Sequence, residues 1–583
     1  MVFKDSNFNK SPFINVDGYP CFSGWQEISN VLVKKIQELS PPKKIICAEI
    51  YPGALALGIR QMLKQHLQPD YIFQAKEAYK SEQQIKTMVT PDLGDDPVFG
   101  TLSHLKIDDY FDQEKLTSIQ NNIKKIEAGI ILIIGTGAVR LADADILIYA
   151  DMARWEIQRR QRKNEISNLG VDNKNDSASL KYKWAFFVDW RVADRLKGEL
   201  IDHLDFVIDT NDPSFPKMVT GEALRKGLQK ATTRPFELVP YFDPGPWGGK
   251  WMQQVCDLDC SVDNYAWCFN CVPEENSLLL KFGETLFEIP AIDLVLYQPH
   301  QLLGEYVFSR FGAEFPIRFD FLDTWEGGNL SLQVHPTRSY IQKNFGWPYT
   351  QDESYYVMDA KPGAKVYLGL HDKVNKEKMF RALQTANESG DSFPADEYAM
   401  SWPVKKHDHI LIPAGTLHCS GKESMVLEIS STPFIFTFKL WDWGRMGLNG
   451  KPRPVHLDHG RQVIQIDRTP EWTRKNLINR IENIAAGDGW HEERTGLHEL
   501  EFIETRRHWF SKKTEHHTNG TVNVLNLVAG EEVIVESPDN KFEPVIIHYA
   551  ETFIVPAAVG RYNIRPHGSS VGKECATIKA YVR

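Results

Sequence analysis

Hydrophobic and polar positions fall into two textures along the chain. Up to about residue 235, strand-like apolar runs alternate with helical patterns. KKIICAEIY precedes GIRQMLKQHL, AGIILIIGTGA precedes the charged periodic segment MARWEIQRRQRK, and WAFFVDW precedes ADRLKGELIDHL and LDFVIDT. Strands alternating with helices predict crossover units and a mostly parallel sheet. Inside this α/β part, residues 170–179 (GVDNKNDSAS) are polar and aperiodic, which predicts a mobile surface loop. From about residue 241 the chain turns to short strands punctuated by Gly, Pro and Asp: YAWCFNCV, FPIRFDFLD, NLSLQVHP, ESYYVMDA, AKVYLGL, DHILIPAGTLH, SMVLEIS and FIFTFKLWDW. This texture predicts a β-sandwich or jelly roll. NKEKMFRALQTA reads as a helical insertion and PEWTRKNLINRIENI as a second helix. After about residue 500, TVNVLNLVAGEEVIVE, PVIIHYAETFIVPAAVGRYNIRP and CATIKAYVR predict a smaller β-domain. ETFIVPAAVGRYNI repeats the pattern of DHILIPAGTLHCSG weakly. The expected division is 1–234, 235–499 and 500–583.

Composition narrows the function classes. The 583 residues carry 67 Lys and Arg against 77 Asp and Glu, a formal net charge of −10, so no basic excess drives nucleic-acid binding. No purely apolar run exceeds five residues, far below the ~20 that span a bilayer. The first residues, MVFKDSNFNKSPF, lack a signal-peptide pattern, and eight Cys make no disulfide scaffold, which places the chain in a reducing cytosol.

The most informative constellation is Gln333, His335, Glu353 and His418. Side chains alternate along a strand, so Gln333 and His335 share a face. Glu353 opens the next apolar strand, and His418 follows a Pro-Ala-Gly-Thr turn. Two imidazoles, a carboxylate and an amide oxygen suit Zn²⁺, with other divalent transition metals allowed. Each His taken alone is as readily a hydrogen-bonded residue on a half-buried strand.

Here the sequence resembles a known family. NLSLQVHP, ESYYVMDAKPGAKVYLGL, HILIPAGTLHCSGKESMVLEIS and FKLWDWGRMGLNGKPRPVHL are similar to the successive motifs of class I mannose-6-phosphate isomerases, and PWGG and FPIRFDFLD also match. The resemblance covers residues 236–583. It implies a cupin jelly roll, Zn²⁺ on Gln333, His335, Glu353 and His418, and a second cupin-like domain at the C-terminal end. It also implies interconversion of mannose 6-phosphate and fructose 6-phosphate through a cis-enediol, with Arg445, Lys439 and Gln351 at the positions of the family's catalytic groups. A small-molecule sugar phosphate is then the expected partner, without nucleic acid or membrane; a homo-oligomer is allowed.

Several positions depart from the family. Its Gly-Lys-Thr-Glu reads Thr350-Gln351-Asp352-Glu353 here, its Thr-Tyr-Arg reads Thr437-Phe438-Lys439, and a Lys common before Phe-Leu-Asp is Asp320. Gln carries neither proton nor charge, and Lys lacks the bidentate fork of Arg. Lys343, Arg338 and Lys439 are replacements to consider for the phosphate, and Asp352 or His407 for the proton. The competing class is a metal and sugar-phosphate binding protein without turnover, a sensor or scaffold; a third is an isomerase of a different sugar.

IICAEIYPGALALGIRQML has the strand, Gly-containing turn and helix order of a nucleotide-binding P-loop, and IILIIGTGAVRLADADILIYADMARWEIQRRQRK resembles the later strand and basic segment of uridine-kinase-like phosphotransferases; an α/β domain used for assembly is the alternative. A P-loop needs Gly-x-x-x-x-Gly-Lys-Ser/Thr. Ile59 and Arg60 follow Gly58 here, so the resemblance implies a degenerate domain without ATP chemistry. Cys256, Cys260, Cys268 and Cys271 have thiol-pair spacing, but a strand would turn Cys268 and Cys271 to opposite faces. The His516-His517 pair reads as an exposed loop. Arg154, Arg159, Arg160, Arg162 and Lys163 read as a solvated helix face.

Overall fold

A computed structural model describes residues 6–389, 391–431, 434–446, 453–496 and 498–583. Part of the last resembling motif, residues 447–452, lies outside them. The chain forms two compact units, Phe13–Ala231 with Ser277–Gln298, and Thr232–Asn276 with Pro299–Arg583 and the residues up to Pro12.

The first unit is an α/β fold. Its strands are β1 (Phe22–Ser23), β2 (Lys43–Ile50), β3 (Tyr71–Gln74), β4 (Gly129–Gly135), β5 (Ile146–Asp151), β6 (Phe206–Asp209) and β7 (Lys217–Thr220). They form one sheet in the order β1-β7-β6-β5-β2-β4-β3. β2, β4, β3, β5 and β6 run parallel, while β7 and β1 close one edge antiparallel. The central strands are nearly continuous Ile, Leu and Val because both faces are covered, as a parallel sheet requires. Helices α1 (Gly24–Glu38), α2 (Ala56–Leu67), α3 (Arg154–Arg162) and α4 (Trp190–Leu200) belong to this unit.

Three expectations change here. WAFFVDW is helical, a wide turn over Ala185–Asp189 joining the helix Ala178–Trp184 to α4. A five-residue apolar run suits a buried helix as well as a strand, and here Ala185, Phe186, Phe187 and Val188 are all buried. The polar loop is pinned, since buried Asn173 exchanges hydrogen bonds with Asn168, whose amide also donates to Asp189 at 2.7 Å. The basic stripe is split: Arg159, Arg162 and Lys163 are exposed as expected, and two of its arginines are not. Arg154 and Arg160 are fully buried; Arg160 bonds Glu156 and the carbonyls of Thr210 and Asn211, and Arg154 pairs with Asp194 at 2.5 Å.

The segment Ser277–Gln298 joins this unit as a hairpin, Ser277–Phe282 and Thr285–Pro290, paired in parallel with Phe13–Asn15. The following helix, Ile292–Tyr297, carries Asp293 to Lys197 of α4 at 2.7 Å.

The second unit is built from antiparallel sheets. Its first pair uses β8 (Tyr241–Asp243), β9 (Trp267–Cys271), β10 (Arg318–Asp323), β11 (Leu332–Val334), β12 (Glu353–Ala360), β13 (Lys365–Leu370), β14 (Ala399–Pro403), β15 (His409–Ile412), β16 (His418–Ser420), β17 (Ser424–Ser430) and β18 (Phe438–Trp441). Six of them order as β15-β12-β17-β10-β9-β8 and five as β14-β13-β16-β11-β18. The expected helical insertion is the helix Lys376–Ser389. The helix expected from Pro470 ends at Asn476, and its IEN tail instead enters the strand Glu482–Gly487.

That strand, β19, opens a second pair of sheets with β20 (Trp490–Gly496), β21 (Ile503–Phe510), β22 (Thr514–His517), β23 (Asn523–Ala529), β24 (Glu532–Glu536), β25 (Val545–His548), β26 (Thr552–Val555), β27 (Arg561–Pro566) and β28 (Cys575–Val582). Their orders are β19-β20-β21-β28-β23-β26 and β22-β27-β24-β25. Phe510, Leu525, Leu527, Val533, Phe553, Ile564 and their neighbours form a hydrophobic core. His516 lies on β22 and is buried, against the loop expected there. In T-E-H-H the alternation of the strand turns Thr514 and His516 inward and Glu515 and His517 outward.

Candidate metal centre

The centre forms where the two sheets of the first pair meet. Gln333 lies on β11 and His335 one residue past its end; His418 opens β16, directly opposite Gln333 in the ladder. Glu353 comes from the other sheet as the first residue of β12. His418 Nε2 lies 2.8 Å from Glu353 Oε1, His335 Nε2 lies 3.1 Å from Glu353 Oε2, and the Gln333 amide lies 3.2 Å from His418 Nε2. His335, Glu353 and His418 are buried and their donor atoms lie within 4.8 Å of one another, the one three-residue group of this kind among the described residues.

The hydrogen bonds around the centre decide what it can hold. Nδ1 of His335 is 2.8 Å from the Phe436 carbonyl, and Nδ1 of His418 is 2.8 Å from the Thr416 carbonyl. A carbonyl only accepts, so each Nδ1 carries the proton and each Nε2 presents a lone pair to the interior. Outside the group itself, His335 Nε2 and Glu353 Oε1 have no hydrogen-bond partner among the described residues. An amide turned with its oxygen inward makes Gln333 another acceptor. Acceptor atoms thus converge in a buried site, an arrangement that fits a divalent cation.

The chain resembles mannose-6-phosphate isomerases. Mannose-6-phosphate isomerase ManA of Bacillus subtilis is 28% identical over 248 residues, 41% of this chain and 71% of that protein. Mannose-6-phosphate isomerase of Streptococcus mutans is 27% identical over 232 residues, 39% of this chain and 67% of that protein. The solved structure of mannose 6-phosphate isomerase from Bacillus subtilis aligns over 60% of this chain and 99% of its own, with 19% identity and a TM-score of 0.47. Residues 24–233 match a family model described as a domain of unknown function, DUF8485.

Lys439 sits directly opposite Gln333 on β18, so its side chain shares that face. Burial first, then the nearby Arg453, pushes its ammonium down to about 8. Arg445 is braced by the Asn329 carbonyl at 2.6 Å and by Asp442 at 2.5 Å; Asp442 also accepts from Arg453 at 2.8 Å and from Ser331. Three cations therefore stand around one carboxylate. Arg453 was not among the residues singled out from the sequence, although the basic run KPR marked the segment.

Gln351 is a brace. Its Nε2 donates to Glu353 Oε2 at 3.0 Å, while its Oε1 accepts the backbone N–H of Phe436 at 2.8 Å. Asp320 pairs with Arg318 on its own strand. Facing both is Glu428, which sequence reasoning passed over because SMVLEIS reads as one apolar strand. Burial, with Glu353 and Asp320 nearby, pushes its carboxyl well up.

Of the other residues considered for phosphate or proton, Asp352 adjoins Glu353 and accepts the Ala414 N–H at 2.7 Å. Arg338 and Asp352 line a cavity of about 550 Å³ together with Arg310 and Arg468. Lys343 is exposed. His407 bonds the Tyr356 hydroxyl at 2.9 Å and packs on Trp509. Of the four spaced cysteines, Cys260 is exposed and the others are buried, Cys268 and Cys271 on β9.

Proposed function

We propose that the second unit is a zinc-dependent aldose-ketose isomerase of sugar phosphates, interconverting mannose 6-phosphate and fructose 6-phosphate through a cis-enediol. The observation that carries this reading is the buried convergence of Gln333, His335, Glu353 and His418, in a stretch similar to mannose-6-phosphate isomerases. Zn²⁺ bound by these four residues would supply Lewis-acid stabilisation of charge on the sugar oxygens.

The chain's own residues take the remaining tasks. His335 and His418, fixed through Nδ1, keep their lone pairs oriented, and Gln351 holds Glu353 in place through Oε2. Lys439 Nζ, beside Gln333 and near 8 in its titration, is suited to exchange a proton with the substrate around neutral pH. Arg445 and Arg453, sharing Asp442, leave cationic surplus for a phosphate. In the first unit, α2 has buried Ile59 where a P-loop would have Lys, which supports a kinase-like domain without phosphotransfer.

A second reading, binding without turnover, is favoured by Gln351, an amide with no proton to exchange, already committed to Phe436 and Glu353. One experiment separates the two. The purified full chain with Zn²⁺ is given mannose 6-phosphate and fructose 6-phosphate is measured. Turnover lost in His335→Ala supports the isomerase; saturable binding without turnover supports the binding protein; activity confined to another aldose in a panel would reassign the substrate.

A further inference from the structure

The interior of the last β-pair carries polar groups that its hydrophobic core does not need. On the inner face of its larger sheet, Glu492 of β20, His508 of β21 and Thr577 of β28 lie in one row of paired residues. His516 approaches from β22 of the smaller sheet. His508, His516 and Thr577 are 3%, 5% and 0% exposed.

The hydrogen bonds leave specific atoms free. Glu492 Oε1 lies 3.1 Å from His508 Nε2 and also accepts from Arg506 at 3.1 Å. A carboxylate only accepts, so Glu492 at Nε2 places the proton of the neutral ring there. Its Nδ1 is then a lone pair, without a hydrogen-bond partner among the described residues. Both ring nitrogens of His516 and the Thr577 hydroxyl also lack one. The two imidazoles are close, with centroids 4.5 Å apart, against 4.8 Å for His335 and His418. His516 is set by stacking on Tyr562, whose hydroxyl bonds Asn523.

Buried polar atoms are almost always satisfied, so a group of orphans on one interior face signals a missing partner. A neutral imidazole tethered through its far nitrogen to a carboxylate is the arrangement that orients a histidine on a metal. We infer that His508 and His516 form a second metal site, for a late first-row divalent ion such as Zn²⁺, Co²⁺ or Cu²⁺. Thr577 and solvent are the remaining oxygen donors, and Glu492 is a positioning residue. The softness of two imidazoles excludes Mg²⁺ and Ca²⁺. Lys579, opposite Arg506 on the same face, is the charge that weakens the site.

The test is metal stoichiometry on the full chain. Protein stripped with chelator is dialysed against Zn²⁺ and analysed for metal per chain. The expected result is two equivalents for the wild type and one for His516→Phe, which keeps the ring stacked on Tyr562. Loading with Cu²⁺ gives a second readout, an electron-paramagnetic-resonance signal with nitrogen couplings from two imidazoles, lost in His508→Gln but kept in His335→Ala/His418→Ala. Lys579→Met is expected to tighten the second equivalent several-fold. A wild-type count that His516→Phe leaves unchanged in a correctly folded protein, whether one equivalent or two, overturns the assignment. Loss of the first centre leaves the second equivalent in place, so failure of the isomerase reading is distinguished from failure of this one.

Discussion

Replacing Lys197 with Met tests how the first unit tolerates its buried charges. Lys197 Nζ lies 2.9 Å from both oxygens of Asp151 and 2.7 Å from Asp293, and all three side chains are at most 2% exposed. Burial and the neighbouring Asp151 push the Asp293 carboxyl well up, which favours a cluster of one ion pair and a protonated acid. Met matches the length of Lys but leaves the Asp151 charge buried and uncompensated. Removing one partner of such a pair costs about 3–5 kcal/mol. Asp293→Asn is expected to cost under about 1 kcal/mol, since its amide still accepts from Lys197 and donates to Asp151. The pH dependence has a definite sign. Between the ordinary carboxyl value of 3.8 and the raised folded value, the folded wild type binds one more proton than the unfolded chain, so this group's contribution falls as pH rises. Asp293→Asn lacks that loss, and its stability relative to wild type improves with pH. With two compact units in one chain, the suitable assay is hydrogen-exchange mass spectrometry in urea, read on peptides of Phe13–Ala231 and Ser277–Gln298. Equal costs for Lys197→Met and Asp293→Asn would refute the neutral acid and the reasoning built on it.

Other predictions concern the candidate centre. His418→Ala is expected to lose the metal at the first site and, with it, the rise in melting temperature that Zn²⁺ gives the chelator-stripped protein, as differential scanning calorimetry would show. Gln351→Leu leaves the Phe436 N–H unsatisfied and removes a donor from Glu353. The expected cost is about 2–4 kcal/mol by urea unfolding of the second unit, and a loss within 0.5 kcal/mol would contradict its bracing role. If Lys439 exchanges the substrate proton, isomerase activity rises with pH through about 8, and Lys439→Arg abolishes that limb. Arg160→Met leaves Glu156 paired with Arg159 but takes the donors from the carbonyls of Thr210 and Asn211, and is expected to destabilise the first unit by roughly 2 kcal/mol, measured by the same exchange experiment.

Much of the organisation was legible in the chain. The alternation of apolar runs with helical segments announced the parallel sheet, and Gln333, His335, Glu353 and His418 stood out because their residue types and strand positions are unusual together. The misread elements share a cause. WAFFVDW, the IEN tail after Asn476 and the T-E-H-H of β22 are short segments whose local pattern permits two structures, and their surroundings chose between them.

The sequence by itself determined which side chains could bind a metal and where strands and helices could form, because those follow from residue chemistry and local period. Only the tertiary structure decided which groups are used. It brought Glu353 from one sheet to two imidazoles of the other, tied both Nδ1 atoms to carbonyls, and committed Gln351 to a backbone N–H. It also buried Arg154 and Arg160 and carried Asp293 to Lys197 across 96 residues of chain. Charge pairing and desolvation depend on distances through space, and no local pattern encodes them.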